Sequence, residues 1–216
     1  MSADRTYGQY CALAKALDVV GDRWALLIIR ELLLRGACRY TDLQTGLPGI
    51  ATNLLAARLR RLEADGVVRR EAAQPPVAIT LFHLTERGKE LEPVLLLLGA
   101  WGAPLMAEPA AGDAFCTHWL SFPVRQFLHD RNPDGPPVTI LLAGGGDARN
   151  VLTIEAGGGK IHTRIGGAES PDLVLTGAAQ LLVGVLAGKL RLSEAKAAGL
   201  VVEGDPAALE RLLPKG

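Results

Sequence analysis

Between Arg39 and Gly66 the apolar positions fall into two helical stretches separated by a break. Leu43 and Leu47 give the first stretch a short apolar face, Pro48-Gly49 interrupt it, and Ile50 packs back across the turn. In the second stretch Ala51, Leu55, Leu59 and Leu62 recur at helical spacing, while Thr52, Asn53, Ala56, Arg60 and Arg61 fall off that stripe. The pattern predicts helix, turn, helix, with one face of the second helix in a core and the other polar and basic. A helix held in this way, with small polar residues in its first turn and arginines further along, fits a DNA major groove. An ordinary amphipathic helix with a solvated arginine face has the same periodicity. The residues beyond Gly66 separate the two readings: Val67 to Arg70, a turn-rich Gln74 to Pro76 and a β-prone run from Val77 to Leu84 describe a two-stranded wing.

Upstream, Gln9 to Val20 reads as a helix with Leu13, Ala16, Leu17 and Val20 on one side. Trp24 to Leu34 reads as a second, nearly all apolar helix with Trp24 as a core anchor. After the wing a helix starts at Thr85 and continues through Leu91, Val94, Leu95, Leu98 and Trp101, with a kink or restart expected at Pro93. So wide an apolar surface exceeds what a small winged domain covers by itself, and a second subunit is its natural cover.

From Gly102 to Asp113 the composition turns to Ala, Gly and Pro, which marks a linker. Beyond it, helix Trp119 to Arg131 and strands at 138–143, 150–156, 160–165 and 172–176, spaced by glycines, give the pattern of an antiparallel meander. An apolar helix at 178–187, a short polar one at 193–198, a strand at 200–203 and a closing helix at 206–213 complete it. The expected fold is α+β: a winged helix-turn-helix domain over 1–103, a linker over 104–113 and a second domain over 114–216.

Composition narrows the function classes. Hydrophobic content of 49% with 21% charged residues describes a globular chain. The longest apolar runs are too short to span a bilayer, and MSADRTYGQY lacks the order of a signal peptide, so a cytoplasmic protein without a membrane span is expected. Formal net charge is zero. It is unevenly spread: residues 1–103 carry 13 Lys+Arg against 11 Asp+Glu, and Arg39 to Arg70 holds six arginines against three acids. Phosphate contact needs only such a local patch. Three cysteines without CxxC spacing and four scattered histidines indicate neither a disulfide framework nor a metal site. No catalytic pairing is signalled by spacing, and no cofactor is expected. GGGK at 157–160 lacks the Ser or Thr and the long helix of a phosphate loop, so it reads as a turn, as does Gly144 to Gly146.

Cys11, the run ALDVVGDRW from Ala16 to Trp24, LPGI, RLRRLEADGVV and LTERG resemble, in order, the HxlR family of bacterial winged-helix regulators. The resemblance covers roughly Cys11 to Trp101 and implies a dimeric, DNA-binding transcriptional regulator. On it, Thr52, Asn53, Arg60 and Arg61 face the major groove of double-stranded DNA. Arg39, Tyr40, Arg69 and Arg70 meet phosphates, and Arg58 either joins them or braces the helix. Leu91, Val94, Leu95, Leu98 and Trp101 make the homodimer. The chain departs from the family in its apolar returning wing strand, with Val77, Ala78, Ile79 and Leu81. Some family members sense oxidants or electrophiles through a cysteine at the position of Cys11, and the competing reading is a buried, inert thiol. Cys38 could equally be a solvent-side bystander.

The tail from Asp172 to Leu213, with its strand, the helix ending in Ala187-Gly188-Lys189, the Ala195 to Gly199 segment and VVEGDP, resembles the sterol carrier protein 2 family. That resemblance implies an α/β sandwich, a sheet with helices on one face, enclosing a cavity for apolar molecules. Leu173, Leu175, Leu181, Leu182, Val185 and Leu186 are then either pocket lining or plain core. Two function classes remain: a ligand-responsive transcription factor, or a lipid-binding protein whose winged domain serves only to dimerise.

Overall fold

The computed structural model describes residues 6–72, 79–106, 110, 112–144 and 150–213. The chain divides into two compact units, Met1–Leu95 and Leu96–Gly216, with the division falling inside the helix that follows the wing.

In the first unit, helix α1 (Ala12–Val20) turns Ala14 and Val20 inward, while Leu13 is 68% exposed and Leu17 also faces out. The stripe through Leu13 and Leu17 is therefore not the core face of this helix. Helix α2 (Ala25–Arg35) buries Ile28, Ile29 and Leu32 completely or nearly so. Trp24 packs beside this core as expected, in a left-handed backbone conformation (φ 83°) that bulky residues rarely adopt. Its ring also receives the Arg23 guanidinium, 5.8 Å from the centroid. Strand β1 (Cys38–Arg39) leads into α3 (Tyr40–Thr45) and, after the turn, α4 (Thr52–Ala64). Strands β2 (Val68–Ala72) and β3 (Thr80–Leu84) come next, and the three form an antiparallel sheet in the order β1-β3-β2. The two residues of β1 carry no periodicity, and Cys38 lies against Phe82 in register. Cys38 is fully buried, which corrects its reading as a solvent-side residue: pairing with β3 carries it under the sheet. The wing tip, with Gln74 to Pro76, Val77 and Ala78, lies outside the described residues.

The helix expected from Thr85 onward is two. Thr85 caps α5 (Glu86–Lys89), its hydroxyl accepting the Gly88 N–H, and the chain restarts as α6 (Glu92–Gly102) with Pro93 in the first turn, where its missing N–H is harmless.

In the second unit, strands β4 (Val138–Gly144), β5 (Val151–Gly157) and β6 (Lys160–Ile165) form the expected antiparallel meander. Gly158 and Gly159, both at positive φ, make the two-residue turn between β5 and β6. The fourth strand departs from the meander: β7 (Leu173–Gly177) pairs in parallel with β4, so residues 166–172 run back along the length of the sheet before it begins. Thr153, on the face turned away from the core, donates its hydroxyl to the Gly166 carbonyl at 2.6 Å as that connection leaves β6. Strand β8 (Val201–Gly204) completes the order β6-β5-β4-β7-β8. Alternate residues Ile140, Leu142, Leu152, Ile154, Leu173 and Leu175 are fully buried on one face. Helices α7 (Ser121–Phe127), α8 (Ala179–Leu186), α9 (Leu192–Ala197) and α10 (Ala207–Glu210) contribute to the same core. The long helix expected at 119–131 is a short 3-10 turn (Thr117–Leu120) and then α7, which ends before Leu128.

Candidate nucleic-acid interface

Leu55, Leu59 and Leu62, spaced as the sequence pattern requires, are buried and fix α4 to the first unit's core. Leu43, Leu47 and Ile50 do the same for α3 and the turn. Thr52, Asn53 and Arg60 are consequently exposed on the opposite side. The N-cap of α4 is Ala51, which offers no side-chain oxygen, and within the first turn Asn53 Oδ1 accepts the Leu54 N–H at 2.9 Å.

Two residues of α3 grip that turn. Tyr40 donates its hydroxyl to the Thr52 carbonyl at 2.5 Å, and Gln44 donates Nε2–H to Thr52 Oγ1 at 3.0 Å. Tyr40 is half-buried against the core, so its ring braces the turn and its hydroxyl is already used.

The six arginines of the patch divide sharply. Arg58 pairs with Asp22 in the α1–α2 turn and so ties α4 to that turn. Arg61 pairs with Asp65 one turn along at 2.9 Å. Arg69 pairs with Glu71 at 2.6 Å. Arg70 meets Glu63 through both Nε and Nη2, which lowers the Glu63 pKa and raises that of Arg70. Arg39 and Arg60 have no ion pair among the described residues. Each of the four acids halves or cancels the field of its arginine toward a phosphate, and leaves Arg39 and Arg60 as the cations of the patch without an internal counter-charge.

Beneath the turn lies a feature that the hydrophobic pattern does not show. Glu31, in the middle of α2, is fully buried and is bonded by Arg30 at 2.9 Å and Arg35 at 3.0 Å. Gly46, which ends α3, leaves room for it: a Cβ there would fall 2.0 Å from Glu31 Oε2. The traces in the sequence are the Arg30-Glu31 pair and Arg35 within a helix that is apolar at its other positions.

The residues expected at a subunit contact separate into two groups. Leu91 and Leu95 are half-buried against the first unit's own core. Val94, Leu98 and Trp101 (74% exposed) face outward, joined by Leu97 (70% exposed), and α6 buries none of its residues.

Cys11 sits exposed at the N-cap of α1, where the backbone N–H groups of Ala14 and, to a smaller extent, Leu13 hold its thiol below the ordinary value without forming a capping hydrogen bond. Burial instead pushes the Cys38 thiol up to about 12.

In the second unit Leu173, Leu175, Leu182, Val185 and Leu186 are all buried in one cluster, with Leu181 partly buried against it. Among the described residues no three His, Cys, Asp or Glu side chains gather as metal ligands, and no helix is long and apolar enough to cross a membrane.

Comparison with known proteins gives the family this chain resembles. The profile of the HxlR-like helix-turn-helix family matches residues 19–109. A Synechocystis protein described as an uncharacterised HTH-type transcriptional regulator, sll1512, is 33% identical over 110 residues, covering 51% of this chain and 81% of that protein. YvaP of Bacillus subtilis, described in the same words, is 38% identical over 88 residues, 40% of this chain and 80% of its own. Among solved structures, the reduced form of the transcriptional regulator YodB from B. subtilis covers 48% of this chain and 100% of its own, at 30% identity and a TM-score of 0.40.

Proposed function

The chain belongs to the HxlR-like helix-turn-helix family and is a transcriptional regulator of that type, not an enzyme, and from this premise we propose how it meets DNA, what joins two copies and what its second unit does. The observation that carries the reading is the exposed side of α4, with Thr52, Asn53 and Arg60 opposite three buried leucines. This face enters the major groove of double-stranded DNA. Asn53 reads a base edge, Arg39 and Arg60 contact phosphates, and Arg61, Arg69 and Arg70 contribute only as far as phosphates displace their acids. Two copies associate through the outward apolar side of α6, and the dimer works in the cytoplasm.

The second unit supports a further part of the proposal: a sheet with helices packed on one face, as the resemblance to the sterol carrier protein 2 family implies, acts as a sensor of an apolar molecule. Leu173, Leu175 and the α8 residues would separate to admit it. Such a ligand shifts DNA affinity only by its differential affinity for the DNA-competent and incompetent forms.

Binding to duplexes from the host's own promoters tests the first part. Asn53→Ala is expected to lose preference at one base pair, by a factor of about 5 to 100. Retention of no duplex at all would favour the other reading, a lipid-binding protein that uses its winged unit only to dimerise.

The exposure and lowered pKa of Cys11 favour a second reading, thiol control. Diamide is expected to change DNA binding of the wild type and not of Cys11→Ser; an equal response in both removes Cys11 from the mechanism.

A further inference from the structure

Thr52 is the first residue of α4, and α3 holds it at two points one helical turn apart: the Tyr40 hydroxyl on its carbonyl and the Gln44 amide on its side-chain oxygen. Gln44 and Thr52 are both exposed. A hydroxyl has one proton and two lone pairs. Because Thr52 Oγ1 accepts from Gln44 Nε2 at 3.0 Å, one lone pair is occupied on the side facing α3, and the proton and the second lone pair are left for other partners. We propose that Gln44 is a specificity-determining positioning residue, which fixes the Thr52 side chain in one orientation toward a base edge in the major groove.

This inference rests on the reading of α4 as the groove-entering helix and adds the residue that orients one of its contacts. Purine N7, guanine O6 and thymine O4 can accept from the hydroxyl there, and the adenine and cytosine amino groups can donate to it, so the fixed position of the hydroxyl decides which base edge it reaches. A threonine without the glutamine can swing its hydroxyl among rotamers, so it discriminates less. Gln44 acts through Thr52, so the two side chains read one base pair together.

The test starts from a library of random-sequence duplexes, from which the full-length wild type selects a preferred duplex. That duplex and its single-base variants are then titrated at fixed salt with the wild type, Gln44→Ala, Thr52→Val and the double variant. Gln44→Ala and Thr52→Val should each reduce discrimination at the same single base pair by about tenfold. The double variant should reduce it no further, and the preference given by Asn53 should persist. All three variants should unfold at the wild-type temperature, since both side chains are exposed. Unchanged preference in Gln44→Ala, multiplying losses in the double variant, or an equal loss of affinity for every duplex would each overturn the proposal, the last by making Thr52 a phosphate anchor. A wild type that selects no duplex overturns instead the reading of α4 on which the proposal stands.

Discussion

Ala51 stands where a serine, threonine or aspartate would bond a free amide of α4. Asn53 Oδ1 accepts the Leu54 N–H there, and the amides of Thr52 and Asn53, without a hydrogen bond among the described residues, favour an anion such as a DNA phosphate. Ala51→Ser should raise the stability of the first unit by about 1 kcal/mol in chemical unfolding; no gain would show that the turn's amides are already satisfied. Asp130, in the second unit, shows the opposite choice. Its carboxylate accepts from Arg211 Nε at 2.6 Å and Nη2 at 2.9 Å and from the amides of Asn132 and Gly159. The Arg211 guanidinium, first among these, lowers its pKa from 3.8 to about 2. A group whose pKa is depressed by folding stabilises the fold fully above its unfolded value and loses that contribution as pH falls through the folded one. The second unit should therefore lose stability between about pH 3.8 and 2, and Arg211→Met should reduce that pH dependence. An identical acid transition in the variant would show that other carboxylates control it.

At the scale of elements, the periodic helices were legible because their core residues are local in sequence. Leu55, Leu59 and Leu62 of α4, and Leu182 and Val185 of α8, are buried as their spacing requires. What escaped depends on partners distant in the chain. The two-residue β1 exists only because β3 pairs with it, and β7 lies parallel to β4 because of a crossover that no local pattern encodes. The arginines escaped in the same way. Their composition marks a basic patch, yet Asp22 and Glu63, the partners of Arg58 and Arg70, are identified only by the fold. The apolar helix after the wing was legible as a surplus, but its inward and outward leucines were not, since leucine occupies both sides of α6. That division changes the expected outcome of mutation. Leu98→Asp should dissociate the dimer in sedimentation velocity while leaving the fold intact, whereas Leu91→Asp should destabilise the first unit itself. A folded, dimeric Leu98→Asp would refute α6 as the contact.

At the scale of the whole molecule the two units differ in what they offer a partner. The first holds the exposed face of α4 and the second holds a buried apolar core that includes Leu173, Leu175, Leu182 and Val185. If the second unit is a sensor, a fatty acid, sterol or aromatic compound should raise its unfolding temperature; if none does, those residues are core alone and the sensing role falls away. If the first unit binds DNA as proposed, binding should depend on charge, since Arg39 and Arg60 are the arginines of the patch without an ion-paired acid among the described residues, while Arg61 and Arg70 have one. The most direct test is the salt dependence of affinity for a promoter duplex, compared between the wild type, Arg60→Ala and Arg70→Ala. The wild type should bind more weakly as salt rises, Arg60→Ala should lower the log–log slope by about one, and Arg70→Ala should lower it by less. A flat wild-type slope, or an Arg60→Ala slope equal to that of the wild type, would contradict the account.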